Sequence, residues 1–509
     1  MPDGAPREPL VWADFTPETF ERAKKERRFI VLDGAAEWCH WCHVMEATTY
    51  HDATVAQLLR ERFIAVKVDV DARPDIEERY GDYGWPATVI FSPDAEELGK
   101  YKGYIEPERF AEILRDVIAN GAARATPIAP GAKTEARPPL SEEHLAWIAR
   151  MTELELDELY DAEQGGWGKW QKAPLMWNNA WTLARAKAGD TESRTRALFT
   201  LAQQRALIDP VWGGIYQYSA ASDWKHAHFE KLMTWQAGAI DNYATAFLLT
   251  KDAAMLGSAR AVQRYVAAFM TSTEGGFYTT QDADVNAHEP GKRFVDGHVY
   301  YAKNDVERRA IGFPRIDTHE YGRENGLMIA AYAALFEATR DAAVLAAAKR
   351  AALRILTTHA IATGGGGVTH DIATSTTKDA YLADNAAMAW GLVRLHEVTH
   401  EREWLDGATR IAEYTKKELG DAGGGFFAST KDPNAVGVFA VRRKPFEENV
   451  LAIRAFARIA RASGADAESA WRPVIAAALR TVATPEMIKS RGRMLGDFLL
   501  ALEETRGLR

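Results

Sequence analysis

A chain of 509 residues is longer than one hydrophobic core usually organises, so two or more domains are expected. Apolar residues at 47% and charged residues at 26% are those of an ordinary globular protein, and no run nears the ~18 apolar residues of a membrane span. A net charge of −9 argues against nonspecific nucleic-acid binding, and only two cysteines leave no structural disulfide framework, which fits a reducing cytoplasm.

In chain order, the first strong signal is Phe29-Ile30-Val31-Leu32-Asp33, a short β-branched apolar run that reads as a buried strand. A turn follows, then Cys39-His40-Trp41-Cys42, then helical periodicity from His43 to Leu59. A helix start stabilises thiolate over thiol, so Cys39 reads as a nucleophile and Cys42 as its resolving partner. Asp33, six positions before Cys39, is placed to take a proton from Cys42. Phe63 to Val70 is a second strand, and Gly84-Trp85-Pro86 opens a third, Val89-Ile90-Phe91, with a cis proline expected to face the thiols. Other readings fit less well. Cys39-x-x-Cys42-His43 also matches a c-type haem motif, but Met1 to Arg28 holds no apolar export segment. A zinc site wants four ligands and the cysteines supply two, so no metal or cofactor is called for. Two buried, inert thiols are the bland alternative.

These residues resemble thioredoxin over about residues 10 to 120: Glu37-Trp38-Cys39-x-x-Cys42, Asp33 and Pro86 all stand where that fold has its own. Trp38, Trp41 and Trp85 are then the expected substrate-binding surface. The domain is read as 1–120, followed by a Pro-rich linker at 121–140.

Beyond Ser141, residues 141–509 read as helical. Apolar spacing marks twelve segments: 142–160, 175–188, 191–207, 229–250, 253–271, 322–339, 342–359, 379–399, 402–418, 446–463, 466–483 and 494–505. Short breaks such as Gly189-Asp190 and Lys251-Asp252 alternate with long connections that carry Gly-aromatic strings, among them Gly213-Gly214-Ile215-Tyr216 and Gly275-Gly276-Phe277-Tyr278. That alternation predicts a closed ring of six hairpins, an (α/α)6 toroid, with an open helical array as the alternative. Candidate chemistry on the long-loop rim is His228, Glu230, Lys231, Asp282, Asp284, Glu324 and Asp384. Paired carboxylates serve glycoside hydrolysis and a His–Glu pair serves epimerisation, although acids near helix starts are commonly caps. Fifteen Trp and seventeen Tyr also hint at a cleft for a carbohydrate-like ligand.

The octapeptide Cys39 to Glu46, Gly84-Trp85-Pro86, His228-Phe229-Glu230-Lys231, Gly275 to Tyr278 with Asp282-Ala283-Asp284, and Asn325 to Ile329 occur in this order. Together they resemble the spermatogenesis-associated thioredoxin-domain proteins and their bacterial relatives. The resemblance implies an α/β thioredoxin-like domain followed by an all-α, six-hairpin glycosidase-like toroid. It carries no substrate for the toroid. The chain departs from the family's usual pattern at Leu232 to Trp235 and at Glu324. The expected function is a cytoplasmic thiol–disulfide oxidoreductase of reductase type, acting on a disulfide-bearing protein or a small thiol. The alternatives are sugar chemistry in the toroid and a noncatalytic redox sensor.

Overall fold

β1 (Phe29–Ala35) is buried along all but its first residue, as its unbroken apolar run requires. It pairs in parallel with β2 (Phe63–Asp69) and antiparallel with β3 (Ala87–Phe91), which pairs antiparallel with β4 (Glu97–Lys102). The sheet order is β2-β1-β3-β4, and Ala13 adds a parallel bridge to Val66 on the free side of β2. Helices α1 (Pro17–Glu26), α2 (His40–Ala47), α3 (Ala53–Arg62), α4 (Pro74–Tyr80) and α5 (Pro107–Arg124) complete this part. Local chemistry starts them: Thr16 caps α1 ahead of Pro17, and Asp52 caps α3 by accepting the N–H groups of Thr54 and Val55.

The computed structural model describes residues 10–124, 138, 140–289, 291–361, 365–374, 377 and 379–509. It divides into two units, Met1–Lys133 with Lys431–Arg443, and Thr134–Thr430 with Lys444–Arg509. Of the expected linker, α5 takes the first residues through Arg124, while 125–137 and 139 lie outside the described residues. Lys431–Arg443 falls inside the stretch read from sequence as toroid, yet it belongs to the first unit. Phe439 sets its ring 4.9 Å from Phe15 and 5.6 Å from Phe91, and the Arg79 guanidinium donates to the Val441 carbonyl at 2.8 Å. The apolar ring covers sheet and helix surface that α1 alone leaves open.

The second unit holds α6 (Glu142–Leu159), α7 (Met176–Lys187), α8 (Thr191–Gln204), α9 (Met233–Thr250), α10 (Ala253–Phe269), the short α11 (Gly297–Tyr301) and α12 (Asp305–Ile311), α13 (Gly322–Thr339), α14 (Ala342–Thr358), α15 (Leu382–Thr399), α16 (Arg402–Tyr414), α17 (Phe446–Ser463), α18 (Ala465–Val482), the short α19 (Pro485–Ser490) and α20 (Gly496–Glu504). The twelve long ones match the twelve expected segments. α7, α9, α13, α15, α17 and α20 each pack on the next around a ring that α20 and α7 close, and the others back them from outside. This is an (α/α)6 toroid, and its sixth pair is made from the first and last helices, α6 and α20.

Three of the short connections repeat one device. Lys251, Arg340 and His400 end α9, α13 and α15 in left-handed conformation at φ 60°, 56° and 60°. The next residue starts the outer helix, and Asp252 and Asp341 there accept the N–H groups of Ala254 and Ala343. Four of the long connections repeat another, which sequence reading missed. An amide near the start of the inner helix clamps the loop backbone: Gln236 on Ile215, Asn325 on Phe277, Asn385 on Val368 and Asn449 on Phe426, each accepting the N–H and donating to the C=O. Buried backbone groups that would otherwise be orphaned are satisfied this way.

Candidate functional site

Cys39 is the N-cap of α2: its N–H donates to the Ala36 carbonyl at 3.1 Å and its Sγ accepts the Cys42 N–H at 3.2 Å. The two sulfurs are joined as a disulfide, with Cα atoms 5.3 Å apart. β1 delivers the motif, because its last residue, Ala35, ends the strand just before this turn. On the neighbouring strand Ala87 pairs with Gly34, so Pro86, which follows a cis peptide bond from Trp85, stands at the same end of the sheet. Trp85 lies against Gly34, where an added Cβ would sit 3.1 Å from its ring. Trp38 is buried and donates to Asp71 at 2.6 Å, which makes it a fixed wall of the site. Trp41 is 42% exposed and leans on Tyr104.

Behind the dithiol, Asp33 is buried on β1 opposite Thr88, with Tyr50 nearby. Asp33 Oδ1, Tyr50 OH and Thr88 Oγ1 have no hydrogen-bond partner among the described residues. Burial pushes the Asp33 carboxyl up to about 6, against the pull of Lys67. Lys67 itself is engaged by Glu46 at 2.7 Å. A buried acid that titrates near neutrality accepts and returns a proton readily.

The toroid candidates fall into two groups. Short strands gather the first: β5 (Tyr218–Ser219) pairs with β6 (Ala227–His228), while β7 (Lys231–Leu232), β8 (Thr280–Gln281) and β9 (Ile316–Asp317) form a three-stranded sheet. Lys231 lies opposite Gln281, so Glu230 and Asp282 are adjacent across the pairing. His228 stacks on Tyr218 at 4.3 Å, with Nδ1 4.0 Å from Glu230. Asp282 accepts the N–H of Asp284, and Asp284 accepts that of Gly297. The second group is Glu324 and Asp384, joined through Arg323, whose N–H donates to Asp384 and whose Nε donates to Glu324. Asp384 also bonds His370 at 2.9 Å, and His370, Tyr321 and His319 stack in a column that ends on Asp317. Sequence reading missed Tyr218, His319 and His370. None of them stands in a compact motif, and only the folded loops bring them together.

Lys231 has a different surrounding from its neighbours in sequence. It is fully buried, donates to Asp209 at 2.9 Å and to the Gly213 carbonyl at 3.0 Å, and lies 4.2 Å from the Tyr265 ring centre. Arg308 also donates to Asp209, at 2.7 Å. Burial alone would raise Asp209, but the two cations outweigh it and pull the carboxyl to about 2. The same lock recurs twice: Lys172 bonds Asp161 and the Gly168 carbonyl, and Lys444 bonds Asp421 and the Gly424 carbonyl. In all three places an Asp, a glycine carbonyl and a later Lys pin a glycine loop, so the geometry gives Lys231 a structural duty.

No helix among the described residues is long and apolar enough to cross a membrane. Residues 4–120 match the family model Thioredox_DsbH, described as a protein of unknown function, DUF255. Human spermatogenesis-associated protein 20 is 29% identical over 331 residues, which cover 57% of this chain and 41% of that protein. The chain thus spans about two fifths of the length of the curated relative it matches. Thioredoxin H-type of Fagopyrum esculentum is 31% identical over 96 residues, 19% of this chain and 78% of that protein. The crystal structure of a D-mannose isomerase superposes with a TM-score of 0.54 at 12% identity, covering 73% of this chain and all of that one, a likeness of fold. The chain thus resembles the spermatogenesis-associated thioredoxin-domain proteins in sequence, and its fold is a thioredoxin-like domain followed by a six-hairpin toroid.

Proposed function

We propose that the protein is a thiol–disulfide oxidoreductase working in the reducing direction, in the cytoplasm, on a disulfide-bearing protein or small disulfide. The observation that carries this reading is the Cys39–Cys42 pair at the start of α2 with the partnerless Asp33 oxygen buried behind it. In the reduced form the Cys39 thiolate attacks one substrate sulfur and expels the other as a thiolate, leaving a mixed disulfide. Cys42 gives its proton to the Asp33 carboxylate, and its thiolate then attacks Cys39 Sγ. The second substrate thiolate leaves, and two electrons have passed from the dithiol to the substrate. Pro86, Trp85 and the exposed Trp41 offer the surface against which the substrate lies. An external dithiol restores Cys39 and Cys42.

The test is reduction of insulin disulfides with dithiothreitol as the terminal reductant. Wild type is expected to accelerate it and Cys39→Ser to give only the background rate. Equal rates for the two would overturn the reading.

The adjacency of Glu230 and Asp282, with His228 close to Glu230, favours a second reading in which the toroid carries out sugar chemistry. Its test is turnover of a panel of mono- and disaccharides by wild type, Glu230→Gln and Asp282→Asn. Turnover lost in both variants and kept in Cys39→Ser would support it. No turnover by wild type would remove it.

A further inference from the structure

The inner ring of the toroid encloses a cavity of about 470 Å³ to which all six inner helices contribute. Apart from α7, which lines it along its length, those helices contribute residues from their middle or later portions. The long-loop candidates Glu324 and Asp384 sit instead at helix starts. Lys187 and Glu337, near the ends of α7 and α13, are exposed at its edge, so it opens toward the short connections. We propose that this cavity is a binding site for a small organic monocarboxylate with an apolar body.

Three features support that choice. First, the deep end carries hydrogen-bond donors without acceptors. Trp390 Nε1 and Arg454 Nη1 belong to side chains 3% exposed, both lining the cavity, and neither atom has a partner among the described residues. Leaving such donors unmatched is costly, and a carboxylate supplies two acceptor oxygens in one plane. Second, the site is built and rigid. The Arg454 guanidinium lies in the corner formed by Trp177 and Trp390, 4.6 Å from each ring centre, and a two-point bond to Glu504 holds its other edge. Arg458 bridges Glu504 and Glu397, and Arg394 bonds Glu397.

Third, the charges leave room for one anion. Three guanidiniums, Arg394, Arg454 and Arg458, face two ion-paired carboxylates, Glu397 and Glu504. Asp241 on the opposite wall has no ion pair among the described residues; it accepts only from Thr245, and burial raises its carboxyl above the ordinary value. In the uncharged form of Asp241 that burial favours, the three guanidiniums exceed the two carboxylates by one charge, which a monoanion neutralises and a dianion exceeds. The remaining wall, with Leu183, Leu248, Leu249 and Leu500, suits an apolar body, and the volume is that of a small-molecule pocket.

The experiment is calorimetric titration of the full chain, its dithiol reduced, with benzoate, hexanoate, benzyl alcohol and phenyl phosphate. Benzoate or hexanoate is expected to bind, with benzyl alcohol and phenyl phosphate at least tenfold weaker. Trp390→Phe keeps the ring and removes the donor, and should weaken the bound carboxylate about tenfold. Asp241→Asn fixes the uncharged form that burial favours and should bind benzoate at least as tightly as wild type, so the loss in Trp390→Phe does not reduce to a general weakening of the cavity. Absence of binding by both carboxylates, equal binding of benzyl alcohol, or unchanged affinity in Trp390→Phe would each overturn the proposal. Because the readout is binding and not disulfide reduction, its failure leaves the dithiol reading standing.

Discussion

Asp33 and Asp209 are both buried aspartates, one in each unit, and their surroundings drive them in opposite directions. Asp33 keeps an oxygen without a hydrogen bond and is pushed up to about 6. Asp209 is held by Lys231, Arg308 and the Val211 N–H, and is pulled to about 2. The difference separates a carboxyl kept ready to exchange a proton from one spent on holding a loop. It also shows why burial of an acid does not by itself mark a site: the partners decide.

The largest expected effect lies on the locked side. Asp209→Asn leaves Lys231 and Arg308 buried without their counter-charge, and should cost about 3–5 kcal/mol in urea unfolding of the full chain. A cost under about 1 kcal/mol would break the contrast.

Next comes the poised side. The folded-state pKa of Asp33 is raised above its ordinary 3.8, to about 6. The folded protein therefore keeps a proton that the unfolded chain has lost, and stability falls as pH climbs from about 4 to about 6. The full penalty, about 3 kcal/mol, stands above that window. Asp33→Asn should remove it: more stable than wild type at pH 8, equal at pH 4, and slower in disulfide reduction. A variant less stable at pH 8 would contradict the assignment of Asp33 as an unpaired acid.

A smaller effect probes the loop clamps. Asn325→Ala strips the Phe277 N–H and C=O of their partners, and should cost about 2 kcal/mol while leaving insulin reduction unchanged. The smallest belongs to Trp41, 42% exposed beside the dithiol. Trp41→Ala should change stability by less than about 0.5 kcal/mol yet raise KM for protein disulfides. An equal loss of kcat would instead place Trp41 in the chemistry.

What was readable in the sequence was what local pattern encodes. The strand before Cys39, the helix after it and the proline before β3 are contiguous signals, and the twelve toroid helices follow from apolar spacing and alternating connection lengths. Long-range pairings were not readable. Lys231 looked like part of a reactive string because Asp209, 22 positions earlier, gives no sign in sequence of being its partner. Lys431–Arg443 reads as one more glycine-bearing toroid connection, and only the packing of Phe439 on Phe15 and Phe91 assigns it to the first unit. The clamp amides Gln236, Asn325, Asn385 and Asn449 sit at equivalent places, but one is a glutamine and their spacings differ, so the repeat shows only once the loops are folded. Glu230 beside Asp282 depends likewise on the β7–β8 pairing, two residues to a strand and beyond any periodicity.

The account rests on Cys39 being the attacking thiol and Cys42 the resolving one. The direct measurement is intact-mass analysis of reduced Cys42→Ser and Cys39→Ser after incubation with oxidised glutathione. One glutathione should be found on Cys39 in Cys42→Ser, stable because no resolving thiol remains, with little or none on Cys39→Ser at the same time point. Equal adducts on both variants, or none on Cys42→Ser, would contradict it.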